Sequence, residues 1–186
     1  MKLIYSIIVL LLAFNQTFAQ QTGTLKDERD GKVYKTIKIG QQVWMAENLA
    51  HKPDTGNFWA YNNNENNIAI YGYLYDWETA KQIAPPGWHL PTKEEFEILL
   101  NNYNGENQKT YLALIKEGSS QMNIIFGGWC GKNNRFKGKN NIASYWTTDG
   151  REGTGIWNCG LNSTVKMIKM FKLVPTVGLS VRLIKD

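Results

Sequence analysis

From residue 33 the chain reads Val-Tyr-Lys-Thr-Ile-Lys-Ile. The alternation predicts a half-buried strand over 33–39, with Tyr34, Thr36 and Lys38 on its second face. Asp30-Gly31 just before it is a strong hairpin turn. Gly40-Gln41-Gln42 turns the chain, and 43–45 reads as a second short strand. Residues 53–67 are polar and asparagine-rich, which predicts a loop. Asp76 is placed to cap a helix through Ala84, with Trp77, Ala80 and Ile83 or Ala84 on its buried side. Pro85 stops that helix, because the residue before a proline is pushed out of the helical region. Thr92 then caps a second helix, and Glu95 stands at the reciprocal position of a capping box. Pro91 is placed to pack on Phe96 as a staple. Phe96, Leu99 and Leu100 fall at core spacing, with Glu94, Glu97 and Asn101 outside. Short strands follow at 126–130, 143–148, 155–161, 165–171 and 179–185, separated by polar or glycine-bearing turns. Helices in the middle and strands at both ends imply an α+β fold.

The first residues change the picture from a plain globular domain to an exported one. Lys2 precedes an apolar run over 4–14, and Thr17-Phe18-Ala19 offers small residues for cleavage. Residues 1–19 are therefore expected to be a signal peptide that leaves Gln20 first, with a lead-in over 20–29 and one domain over 30–186. The apolar run is short for a membrane span. No cysteine follows it, so bacterial lipid attachment is not expected. The 186 residues, 42% of them hydrophobic, suffice for one sizeable core. The formal net charge of +5 is spread along the chain. The stretch 132–139, with Arg135, is the one local basic cluster and reads as a solvated loop. Together with export this argues against nucleic acid as a partner.

Longer motifs point to a family. Residues 30–40 (Asp-Gly-Lys-Val-Tyr-Lys-Thr-Ile-Lys-Ile-Gly) and 43–49 (Val-Trp-Met-Ala-Glu-Asn-Leu) resemble the opening of the Fibrobacter succinogenes major paralogous domain. The resemblance continues through Tyr71-Gly72, Leu74-Tyr75-Asp76-Trp77, Ala80 and Gly87-Trp88-His89-Leu90-Pro91-Thr92. It ends with Gly127-Gly128, Tyr145-Trp146 and Gly178-Leu179-Ser180-Val181-Arg182. It implies an exported, often surface-associated protein of a Bacteroidetes-like bacterium. It also implies a C-type lectin-like fold, in which two helices lie beside short antiparallel sheets and the first and last strands pair. No general activity comes with it. Members often carry cysteines at positions that here hold Ala84, Leu183, Ala60 and Ile68, so both members of each bridge are replaced together.

Candidate chemistry is sparse. His89 lies between Trp88 and Leu90 in a framework turn and reads as structural, and His51 has no partner at metal-ligand spacing. No nucleophile motif accompanies either, and Glu94, Glu95 and Glu97 are accounted for by helix capping and the helix dipole. The calcium-binding tripeptides of sugar-binding lectins are absent. The nearest match, Trp157-Asn158-Cys159, lacks the carboxylate that a hard cation prefers. No catalytic residue, metal or cofactor is expected. Trp44, Trp77, Trp88 and Trp146 fall in framework motifs and read as core, whereas Trp59, Trp129 and Trp157 are less committed. Loops joining the later strands are free to vary, so Trp129, Arg135 and Asn158 are the candidate ligand-binding residues. Cys130 and Cys159 are the only cysteines. In an oxidising compartment they are expected to form a disulfide, the alternative being two separate buried thiols. The expected function is a non-catalytic surface recognition or adhesion module for a glycan or a surface protein. A structural subunit of a surface assembly and a degenerate envelope or sugar enzyme are the alternatives.

Overall fold

The computed structural model describes residues 21–186, so the expected signal peptide lies outside the described residues. The chain opens with β1 (Thr22–Lys26), β2 (Val33–Ile39), β3 (Gln42–Met45) and β4 (Phe58–Trp59). Next come the single turn α1 (Ile68–Tyr71), β5 (Leu74–Tyr75), α2 (Trp77–Gln82) and β6 (Trp88–His89). Two helices follow, α3 (Lys93–Asn101) and α4 (Gln108–Leu114). The second half is strands: β7 (Gly127–Gly131), β8 (Arg135–Lys139), β9 (Ile142–Arg151), β10 (Gly155–Asn162), β11 (Met167–Leu173) and β12 (Ile184–Lys185).

The described residues form a mixed α and β fold with few helices and several small antiparallel sheets. One sheet has the order β1-β2-β3-β12-β6 and a second has β11-β10-β9, while β4-β5 and β7-β8 are separate ribbons. The last strand does return to the first sheet. Its partners, however, are β3 (Ile184 opposite Trp44) and β6, whereas β1 pairs with β2. The expected pairing of first and last strands is corrected accordingly. Residues read as a lead-in supply the edge strand β1. Residues 179–183, expected as strand, make only isolated bridges, Leu179 to Tyr75 and Ser180 to Tyr145.

Local chemistry explains the helices. The Asp76 carboxylate accepts the Thr79 amide hydrogen at 2.9 Å and caps α2. The Thr92 hydroxyl accepts from the Glu95 amide at 3.1 Å, and the Glu95 carboxylate accepts from the Thr92 amide at 2.7 Å. Sequence reading missed α4, although Asn107 caps it and Thr110, Tyr111, Ala113 and Leu114 are buried at helical spacing.

Both faces of the five-stranded sheet are used. Ile37, Ile39, Trp44 and Ile184 meet Phe96, Leu99 and Leu100 of α3, Tyr111 and Leu114 of α4, and the β9–β11 face bearing Tyr145, Cys159 and Ile168. Leu25, Tyr34 and Met45 on the opposite face join Trp77, Trp146, Leu179 and Leu183 in a second cluster.

Candidate functional site

Several polar and aromatic residues of the long motifs turn inward and satisfy one another. The Asn48 amide donates to the Tyr71 carbonyl at 2.9 Å and the Ser180 hydroxyl at 3.3 Å. Its oxygen accepts from the Tyr145 hydroxyl at 3.1 Å and from Arg182 Nε at 2.9 Å. Arg182, 1% exposed, also donates to the carbonyls of Met122 and Asn123. Trp77 and Trp146 donate their indole hydrogens to the carbonyls of Thr147 and Tyr75. His89 is held by two carboxylates, Nδ1 at 2.6 Å from Asp186 and Nε2 at 2.9 Å from Glu95. Gly72 has a φ of +70°, and a Cβ there would stand 2.5 Å from the Leu49 carbonyl, so glycine is the residue this turn admits. These groups hold the frame and leave their hydrogen-bonding capacity inside it.

Of the three sequence-predicted site residues, Trp129 and Arg135 share the β7–β8 hairpin and Asn158 does not join them. Arg135 is exposed and opposes Gly131, while Trp129 opposes Lys137. Trp129 is half-buried against the second core cluster, its ring running along the side-chain-free positions Gly131 and Gly138. Asn158 is fully buried. It sits in β10, the central strand of three, and its amide donates to the Phe171 carbonyl at 2.8 Å. The expectation that it lines an exposed face is corrected: a strand paired on both edges offers it no loop. Trp157 is also unavailable as an aromatic platform, because Lys93 Nζ and Lys172 Nζ lie 5.0 and 5.2 Å from its ring centre.

The expected disulfide is corrected as well. Cys130 and Cys159 are both free and buried. Cys130, on the β7–β8 ribbon, packs with Tyr61 and Leu74, and Cys159, in the three-stranded sheet, packs with the first core cluster. Burial pushes the Cys130 thiol up to about 11 and that of Cys159 higher still.

What the structure adds is a partner surface for the hairpin. The asparagine-rich segment after Trp59 docks on β7 and β8. Phe136 packs on Tyr61 with ring centres 5.3 Å apart. Lys139 Nζ lies 5.7 and 5.4 Å from the ring centres of Tyr61 and Tyr71 and reaches Asn67 Oδ1 at 3.4 Å. The Tyr71 hydroxyl donates to Asn140 Oδ1 at 3.0 Å. Asn62, Asn63, Asn133 and Asn134 all have positive φ and are exposed, as are Lys132, Arg135 and Lys137 of the hairpin. Asparagine tolerates the left-handed region better than other side-chain-bearing residues. The composition of 53–67 signalled a loop; its docking against a hairpin seventy residues on left no local mark.

Ligand atoms of Asp27, Asp30 and His51 lie within 4.8 Å of one another. Their donors are already committed. Arg29 grips both oxygens of Asp27, at 2.8 and 2.7 Å, and holds its carboxyl below the usual carboxylate range. Asp30 takes His51 at 3.0 Å and Lys32 at 3.4 Å. The cluster fits an ion-pair knot that closes the β1–β2 turn rather than a metal centre. A cleft of about 580 Å³ is bordered by Lys32, Glu47, Glu65 and the exposed side chains of Val33 and Ile70. Asn48 and Gly72 line it in the frame roles given above.

Comparison with known proteins matches residues 37–185 to a family model described as the Fibrobacter succinogenes major domain. No curated protein and no solved structure matches the chain.

Proposed function

Because the chain belongs to the Fibrobacter succinogenes major domain family, we propose that it is an exported, non-catalytic recognition module of the cell surface that binds a glycan or a surface protein. The reading that goes with it is C-type lectin-like. Supporting that fold are the return of β12 to the sheet of the first strands and the helices α2 and α3 beside it. One observation carries the functional reading. The motif side chains Asn48, His89 and Arg182 are spent on the frame, while asparagine amides and cations of two docked loops, Arg135 among them, are exposed. Side-chain amides and cations on exposed turns suit hydroxyl-rich or carboxylate-bearing partners. A glycan array with the wild type and with the double variant Lys132→Ala/Arg135→Ala tests this. Selective binding that the variant loses, at unchanged melting temperature, is expected. Hydrolysis of an envelope polymer by the purified protein would overturn the non-catalytic reading.

A second reading, a subunit of a surface assembly, is favoured by Val165, Met167 and Val174. They stand 61%, 48% and 55% exposed on or beside β11, and Met167 lines an apolar cleft of about 270 Å³ with Ile142 and Phe171. Sedimentation showing concentration-dependent association, abolished by Met167→Lys, would support it.

A further inference from the structure

We propose that a groove across the five-stranded sheet, on the opposite side of its central strands from α3, is a binding site for an anionic saccharide. Strand register builds it. Lys38 opposes Val43 across β2–β3, and Lys185 opposes Trp88 across β12–β6. The pairing of Ile184 with Trp44 sets Lys185 beside Val43, and the Lys38 amide donates to the Gln21 carbonyl at 2.9 Å. Opposed residues share a face, so Gln21, just before β1, and Lys38, Val43, Lys185 and Trp88 of β2, β3, β12 and β6 form one row across the sheet. All five line a single groove of about 340 Å³. Strand spacing sets the bases of the two lysine side chains roughly 10 Å apart.

The groove is chemically unspent. Neither Lys38 nor Lys185 has a carboxylate partner among the described residues; the adjacent Asp186 is turned to His89. Trp88 is half-buried, and its indole hydrogen has no acceptor among the described residues, unlike those of Trp44, Trp77 and Trp146. The floor holds a second signal. Thr36 is 5% exposed, lines the groove, and its hydroxyl has no partner among the described residues. Gly23 opposes it, and a Cβ at Gly23 would come within 2.9 Å of that hydroxyl. A glycine there leaves the hydroxyl open to the groove. An aromatic ring, a floor hydroxyl, an amide and two unpaired ammonium groups fit a hydroxyl-rich ring bearing negative charge. The row lies away from Arg135, so this inference stands or falls separately from the hairpin reading above.

Affinity electrophoresis in gels containing polygalacturonate, dextran sulfate, neutral dextran or polyglutamate tests it. Retardation by at least one of the two anionic polysaccharides, and by neither neutral dextran nor polyglutamate, is expected. Retardation by polygalacturonate alone names a carboxylated sugar, and by dextran sulfate alone a sulfated one. Lys38→Glu/Lys185→Glu should weaken binding about tenfold or more, with circular dichroism and melting temperature retained. Gly23→Ala, which changes no charge, should also weaken it by covering the Thr36 hydroxyl. Lys109→Glu/Lys116→Glu, an equal charge change at exposed positions on and just after α4, should leave it unchanged. Equal retardation by polyglutamate, loss in the Lys109/Lys116 variant equal to that in the Lys38/Lys185 variant, or no retardation by either anionic polysaccharide would overturn the proposal.

Discussion

Arg182 meets no carboxylate among the described residues, although it is almost fully buried. Its cation is instead surrounded by the amide oxygen of Asn48 and the carbonyls of Met45, Met122 and Asn123. Burial lowers its pKa, yet guanidinium starts so high that it stays charged. Three donor directions tie the C-terminal segment to the first strands and to the loop before β7. Arg182→Ala strands those oxygens in the interior, so urea unfolding should show a loss of about 3 kcal/mol or more. Arg182→Lys should recover only part, because one ammonium cannot serve a planar fork. Some of this residue scale is written locally: Thr92, Glu95 and Asp76 cap as their spacing predicts. Asn158 is different. Its polarity suggests a surface residue, and only the position of β10 between two neighbours makes it buried.

At the scale of elements, the start of α3 is joined to β6 and to Asp186 through His89. Thr92→Ala removes one half of the capping box and should cost about 1 kcal/mol, with Thr92→Ser near neutral. The Glu95 carboxylate serves the cap with one oxygen and His89 with the other. Burial alone would lower the His89 pKa, but the hydrogen bonds its ring donates to the Asp186 and Glu95 carboxylates outweigh it, and the pKa rises above 6.5. A histidine raised in the folded state binds its proton more tightly there. Its contribution is therefore complete below about pH 6.5 and is lost as pH rises through the folded value. Melting temperatures taken from pH 5 to 9 should fall across that window by more in the wild type than in His89→Gln. An identical pH profile for the two proteins would remove the ion-pair account. The sequence reading of His89 as structural agrees with this geometry. The strands it joins were harder to read, because β6 and β12 are two residues each and gain their identity only from pairing.

At the scale of the whole molecule, strand order decides what periodicity cannot. Alternation correctly places Cys159 and Leu161 on one core face, with Met170 and Ile168 opposite them. It also places Cys130 away from Trp129. Nothing in alternation says that β7 pairs with β8 and touches Gly178, while β10 pairs with β9 and β11. The same blindness hides the groove row, whose five members come from four separated stretches of chain. For the cysteines the consequence is measurable. Two thiols in separate clusters, with pKa values raised by burial, are poor nucleophiles and poor partners. Denatured, unreduced protein should titrate two free thiols per chain, and native protein should react with iodoacetamide far more slowly than denatured protein. Adding a reductant should leave the melting temperature unchanged, because no loop closure is being released. Cys130→Ala and Cys159→Ala should each destabilise by loss of packing alone, and their effects should add, since residues in separate clusters do not couple. A fall in melting temperature on reduction, or non-additive effects in the double variant, would put the two sulfurs in contact and contradict this separation.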